Sequence, residues 1–188
     1  MNFSMQQEII LVDSNDIQIG TIEKLKAHQL GLLHRAFSIF IFNSEGEILL
    51  QKRAIDKYHS GGLWSNTCCS HPVPDISIFQ KAQERLQEEM GIECQLNFID
   101  KFEYKASFPN GLIEHELDYI FVGQSDEVPS PNPEEVSDYC WINFQDLTIS
   151  MAQKPENYTF WLRIILKNHV LYQWYVNHFK YAVEFSLQ

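Results

Sequence analysis

Alternating apolar and polar positions dominate the first half of the chain and predict β-structure. "EIILVD" and "IQIGTIE" flank the turn-forming "SND", which predicts a hairpin. "AFSIFIFN" and "EILLQKR" flank "SEG" and predict a second hairpin, rich in β-branched and aromatic residues. Between the two, "KLKAHQLGLLHR" follows no single period. The pattern then turns helical. Over 76–91, Phe79, Ala82, Leu86 and Met90 recur at helical spacing. Asp75 or Ser77 can cap this helix, Ser77 with Gln80 as in a capping box, and Gly91 ends it. Strands follow around 98–107 and 112–122, on either side of the turn "PNG". "DYCWIN" predicts a further strand and "FQDLTISMA" a short helix. From Tyr158 to Phe179 the chain reads as helix, with Phe160, Ile164, Leu171 and Trp174 sharing a face and Trp161 and Ile165 beside it.

This order implies an α+β fold, a mixed sheet flanked by helices. The 188 residues are enough for one domain with a sizeable core. The expectation is a single domain over 1–188, with its core at about 5–165 and a C-terminal helix at about 158–180. The proline-rich "SDEVPSPNPEE" at 125–135 reads as a loop within it, because the chain beyond residue 135 is too short for an independent core. No apolar run approaches the roughly 18 residues of a membrane span. The N-terminus lacks the basic and apolar regions of a secretory signal. The expected location is therefore cytoplasmic, with no membrane partner.

Charge narrows the partners. With 25 acidic against 14 basic residues the net charge is −11, which lacks the footprint of a nucleic-acid binder. An anionic small molecule is compatible with that balance if basic groups gather locally. "QKRAIDK" at 51–57, with Lys52, Arg53 and Lys57, is the densest gathering, although a solvated loop has the same composition.

Three segments carry candidate chemistry. In "NTCCSH" (66–71), Cys68 and Cys69 precede His71. A reducing compartment and strained geometry disfavour a disulfide between sequence neighbours. If the segment is a strand, one cysteine packs while the other faces a pocket. Ordinary core packing is the competing reading. In "ERLQEEMGI", Arg85 and Glu89 share a helix face, the arrangement of a plain surface ion pair. In the strand "GLIEHELDYIF", Glu114, Glu116 and Asp118 share one face and His115, Leu117 and Tyr119 the other. Such a face is usually wet, but inside a cavity neighbouring carboxylates repel and need a cation. His28, His34 and His71 lie near predicted strand ends and suit a mixed N/O metal site.

Together, "SNTCCSHP", "ERLQEEMGI", "EYKAS" and "IEHE" resemble the type I isopentenyl-diphosphate isomerases, a branch of the Nudix fold, over about residues 5 to 165. The resemblance implies a metal-dependent isomerase interconverting isopentenyl and dimethylallyl diphosphate, acting as a monomer or weak homodimer. It implies that Cys69 is a catalytic thiol on one face of the substrate, with Glu116 and Tyr104 on the opposite face. His28, His34, His71, Glu114 and Glu116 would hold one divalent metal (Mn²⁺, Zn²⁺ or Mg²⁺). Glu89, with the backbone carbonyl of Cys69, would hold a Mg²⁺ bridging the diphosphate. Lys24, Arg53, Lys57 and Arg85 would meet the diphosphate, and Trp161 would shield the hydrocarbon.

Three departures from the family pattern stand out. The His28–His34 spacing is one residue short. Ser60-Gly61-Gly62 replaces an aromatic–Pro–Gly run, which implies a looser loop before Cys69. In the Nudix box Ser70 and Ile76 replace Gly and Glu, and Glu84-Arg85 inverts Arg-Glu. Those losses argue against the rival reading, a Nudix hydrolase of a nucleoside diphosphate derivative. A non-enzymatic rival is a diphosphate-sensing or structural zinc protein with Cys68, Cys69 and His71 as ligands.

Overall fold

A computed structural model of the chain describes residues 7–180. The expected domain limits at 1 and 188, and core positions 5 and 6, lie outside the described residues. The first hairpin forms as expected from β1 (Glu8–Val12) and β2 (Gln18–Glu23). The undecided segment becomes α1 (Lys24–Leu30), ended by Gly31 at φ 62°. This left-handed residue turns the chain directly into β3 (His34–Phe42).

The second predicted hairpin is different. β3 meets β4 (Glu47–Arg53) at Phe42 opposite Ile48, beside the turn, and the strands then diverge. Between them enter β5 (Trp64–Ser65) and β6 (Cys68–Ser70), which pair with β4 and β3 respectively. Side chains of the intervening residues substitute for the ladder. Thr67 Oγ1 donates to Leu49 O (2.7 Å) and accepts from Ile41 N (2.9 Å). Asn66 Nδ2 donates to Cys68 O at 2.7 Å and Ile39 O at 3.2 Å. The polar "SNT" is thus a buried wedge, and its bonds to Ile39, Ile41 and Leu49 occupy backbone groups of β3 and β4 that a closed hairpin would have paired.

α2 (Ile78–Met90) comes next, capped by Ser77, whose side chain accepts from Gln80 N, and ended by Gly91. Phe79, expected on its core face, is 39 % exposed, whereas Ala82, Leu86 and Met90 are buried. β7 (Leu96–Ser107) and β8 (Ile113–Gln124) form an antiparallel pair, and β8 runs parallel to β3, with His34 opposite Glu116. β9 (Val136–Asn143) pairs with β4 and leads into α3 (Phe144–Gln153). The single helix expected from Tyr158 to Phe179 is broken. α4 (Phe160–Ile165) and α5 (His169–Tyr175) are separate, because Asn168 caps the second by accepting from Val170 N.

β3 is buried on both faces, which explains its nearly continuous apolar run. Phe37, Ile39 and Ile41 pack with Leu86 and Met90 of α2. Phe40 and Phe42 pack with Ile120, Val122, Leu162, Ile165 and Leu171 under the C-terminal helices. On that second face the lining changes toward the N-terminal ends of β3 and β8. Ile120 and Val122 give way to Asp118, Glu116 and Glu114, all at most 6 % exposed. No helix among the described residues is long and apolar enough to cross a membrane.

Candidate active site

Strand parity places the candidate residues together. Cys69 lies opposite Ser38 across the β3–β6 ladder, and Tyr104 opposite Glu116 across β7–β8. All therefore project from the same face of the sheet. Cys68 points the other way into the core with Leu86 and Met90, as strand geometry requires. Cys69, His71, Tyr104, Glu114, Glu116 and Trp161 line one pocket. All four cysteines are free thiols.

At the deep end, His28, His34, His71 and Glu116 converge. His28 Nδ1 lies 2.7 Å from Lys24 O, and His34 Nδ1 lies 2.8 Å from Leu32 O. A carbonyl only accepts, so both Nδ1 atoms carry protons and both Nε2 atoms present lone pairs in the neutral tautomer. Those Nε2 atoms lie 3.9 and 3.5 Å from Glu116 Oε1 and have no hydrogen-bond partner among the described residues. His71 Nε2 is 3.0 Å from the same oxygen. Burial depresses His28 to a pKa of about 4 and His71 to about 3, so both are neutral near pH 7. Lone pairs aimed at an anion in a dry site need a cation between them. The backbone carbonyls that fix both imidazoles are the usual outer support of metal-bound histidine, so the group fits a divalent ion.

Glu114 joins a second, overlapping group with His28 and His59. Its Oε1 is 3.3 Å from His59 Nε2. Burial and the charge of Glu116 push its pKa well above the usual range. Tyr104 Oη donates toward Glu116 Oε2 at 2.7 Å and Glu114 Oε2 at 3.0 Å. Burial raises Cys69 to a pKa of about 12, against the Arg53 guanidinium whose Nη1 lies 3.7 Å from its sulfur. Cys69 is therefore a thiol rather than a thiolate near neutrality. Trp161 is buried, its Nε1 donating to Ser65 Oγ and Asn66 Oδ1 at 3.0 Å, with Arg53 over its ring at 5.2 Å.

The pocket opens onto a basic lip and shares Lys24, Arg53, Tyr58, Cys69 and Ser70 with it. Gln7, Asp56, Lys57, Arg85, Glu89 and Glu135 complete the lip. Glu89 is 4 % exposed and accepts from Arg85 Nη2 at 2.5 Å and Gln51 Nε2 at 3.0 Å. The pair read as a surface ion pair on an isolated helix is thus half inside the molecule.

Residues 32–162 match the NUDIX domain family model. A curated relative from Aromatoleum aromaticum, named isopentenyl-diphosphate Delta-isomerase 2, is 49% identical over 162 residues, covering 86% of each chain. The isopentenyl-diphosphate Delta-isomerase of Serratia proteamaculans is 49% identical, over 87% of this chain and 92% of its own. The chain belongs to the isopentenyl-diphosphate Delta-isomerase family, within the Nudix fold. A solved Deinococcus radiodurans protein, 18% identical with a TM-score of 0.66, shares the fold over 78% of this chain and 90% of its own.

The short His28–His34 spacing still leaves the two imidazoles side by side. Gly31 brings the two rings to a centroid distance of 4.9 Å. The loop at Ser60-Gly61-Gly62 is not loosened. Gly62 N donates to Arg53 O and Arg53 N to Leu63 O, both at 3.0 Å. A Cβ on Gly61 would stand 2.3 Å from Ile55 O, so the loop needs glycine there to pack this closely. Sequence reasoning missed His59, which stacks on Phe108 (5.0 Å) and reaches Glu114. Its only sequence signal was its place after the basic run. It also missed the Ser38–Asp118 bond at 2.8 Å on the pocket floor, which β-strand parity in "IEHELD" could have suggested.

Proposed function

We propose that this protein interconverts isopentenyl and dimethylallyl diphosphate by moving a proton onto one alkene carbon and removing another from the allylic carbon. One observation carries the reading. A protonated thiol, a tyrosine–glutamate pair and a tryptophan line one largely buried pocket that shares residues with a lip carrying Lys24, Arg53, Lys57 and Arg85.

An alkene is a weak base, and its protonation gives a tertiary carbocation. The protein must therefore supply an acid, exclude water and hold a base on the opposite face. Cys69 serves one face of the substrate, with its proton held on Sγ by burial. Glu116, aligned by the Tyr104 hydroxyl, serves the other. One group delivers the proton and its counterpart accepts one, so the substrate's net charge and atom count are unchanged. The indole of Trp161 is held by Ser65 and Asn66 and offers a π face to the developing cation. Lys24, Arg53, Lys57 and Arg85 bind the diphosphate through charge-assisted hydrogen bonds. His28, His34, His71, Glu114 and Glu116 would hold one divalent ion (Mn²⁺, Zn²⁺ or Mg²⁺), and Glu89 with the Cys69 carbonyl a Mg²⁺. When bound, these cations compensate the buried carboxylates and the diphosphate and sharpen the acidity of the group beside them.

Domain limits of 1–188 and action as a monomer or weak homodimer in the cytoplasm, without nucleic acid or membrane, complete the proposal. The test is exchange. The metal-loaded protein, incubated with isopentenyl diphosphate and Mg²⁺ in deuterated water, should label both alkene-adjacent carbons by NMR. Absence of label ends the proposal, and release of phosphate would point to a hydrolase instead.

A further inference from the structure

The basic lip is already occupied by one of the protein's own carboxylates. Glu135 accepts from Lys57 Nζ through Oε2, and its Oε1 lies 3.4 Å from Arg85 Nη2. The same Arg85 nitrogen bonds Glu89 Oε1 and Arg85 Nη1 bonds Glu88 Oε2 at 2.6 Å, so three carboxylates flank one guanidinium. The placement of Glu135 is built into the backbone. Its N donates to Asn132 O at 3.0 Å and its O accepts from Ala54 N at 2.9 Å, tying the end of the proline-rich loop to the basic run. Its side chain is 17 % exposed, facing the lip rather than solvent. Burial works against its charge, but Lys57 and Arg85 outweigh burial and hold its pKa below the ordinary carboxylate range.

We propose that Glu135 is a specificity-determining residue that makes the lip accept metal-complexed diphosphate and reject the free anion. The inference rests on the reading of this lip as the diphosphate site. With Glu135 in place, Lys57 and Arg85 are internally compensated, and Lys24 and Arg53 remain as cations not engaged by it. A free diphosphate must therefore displace Glu135 from its two partners or sit against an anion in a partly desolvated cleft, both unfavourable. A diphosphate that brings Mg²⁺ would bring positive charge beside Glu89 and Glu135, whose carboxylate oxygens would favour it, so the same carboxylate would turn from obstacle to partner.

Calorimetric titration of the metal-loaded protein with inorganic pyrophosphate, with and without added Mg²⁺ and without chelator, tests this. For the wild type, binding should tighten at least about tenfold when Mg²⁺ is added. Glu135→Gln should cut that ratio by about tenfold, mainly through tighter binding of free pyrophosphate, whereas Glu135→Asp, which keeps the charge, should retain most of it. A melting curve on each variant confirms folding. If Glu135→Gln binds both forms as the wild type does, the proposal is overturned while the lip stands. If the wild type binds no pyrophosphate even with Mg²⁺, the reading of the lip itself fails and takes the proposal with it.

Discussion

The deep end of the pocket and its lip are built on opposite principles. At the deep end, acceptors face acceptors, with the Nε2 lone pairs of His28 and His34 converging on Glu116 and no protein donor between them among the described residues. At the lip, cations already have carboxylates, Lys57 with Glu135 and Arg85 with Glu89. The first arrangement is electrostatically incomplete without a cation. The second is complete and must exchange partners to bind an anion. A buried, unpaired cluster therefore selects a tightly held ion, and a half-exposed, paired cluster selects a ligand that comes and goes.

The largest expected effect lies where the two regions meet. Cys69→Ala should lower kcat by about 10³-fold or more, because no other group on that face supplies the proton. Cys68→Ala, one residue away but facing α2, should cost about 1 kcal/mol of stability and leave kcat nearly intact. Loss of activity in Cys68→Ala alone would show that the wrong thiol has been assigned.

Next comes the deep end. His34→Ala should weaken divalent-metal retention by more than about 100-fold, the upper end of what loss of an outer support alone produces. Elemental analysis after dialysis reads this directly. Chelation should also lower the melting temperature of the wild type, since the ion binds only the folded chain, and should barely change that of His34→Ala.

A smaller effect separates the lip by pH. Burial, with the charges of Arg53, Lys57 and Arg85, lowers Lys24 to a pKa of about 8. Below that pH the ammonium is charged, the form that would bind the diphosphate in the proposed function. As pH rises through about 8 the proton is lost, so KM should rise roughly tenfold by one unit above it. Lys24→Arg should flatten the KM profile without altering the pH dependence of kcat. For stability the sign is opposite. Between about 8 and the ordinary 10.5 the unfolded chain binds more protons than the folded one, so this group's penalty fades as pH rises.

The smallest effect is a control on the other side of the sheet. His115 neighbours Glu114 and Glu116 in sequence but faces away, within 2.9 Å of Glu103 and 3.1 Å of Gly31 O. His115→Ala should cost about 1 kcal/mol in urea unfolding and change neither kcat nor metal content. A loss of bound metal there would break the parity argument that separates the two faces.

Much was legible in the chain itself. Helix α2, its Ser77 cap and its Gly91 stop follow from local rules, and the opposite directions of Cys68 and Cys69 follow from strand geometry alone. The residues of the pocket were readable through the family pattern, because residue type and spacing mark chemistry that the fold must satisfy. His59 and Glu135 were not, since a histidine or an acid in a loop has no local property that reveals what faces it.

Periodicity, capping and residue type determined β1 to β4, α2, β7 to β9 and α3, their order and the chemical groups on offer, but not α1, β5, β6 or the break between α4 and α5. Tertiary structure alone decided that the β3–β4 hairpin opens, that Asn66 and Thr67 fill the gap, and that Glu135 closes the lip. The reason is physical. Local patterns encode which face of an element is apolar, whereas pairing across 18 or 78 residues of sequence depends on which donors and acceptors remain unsatisfied once the core has closed.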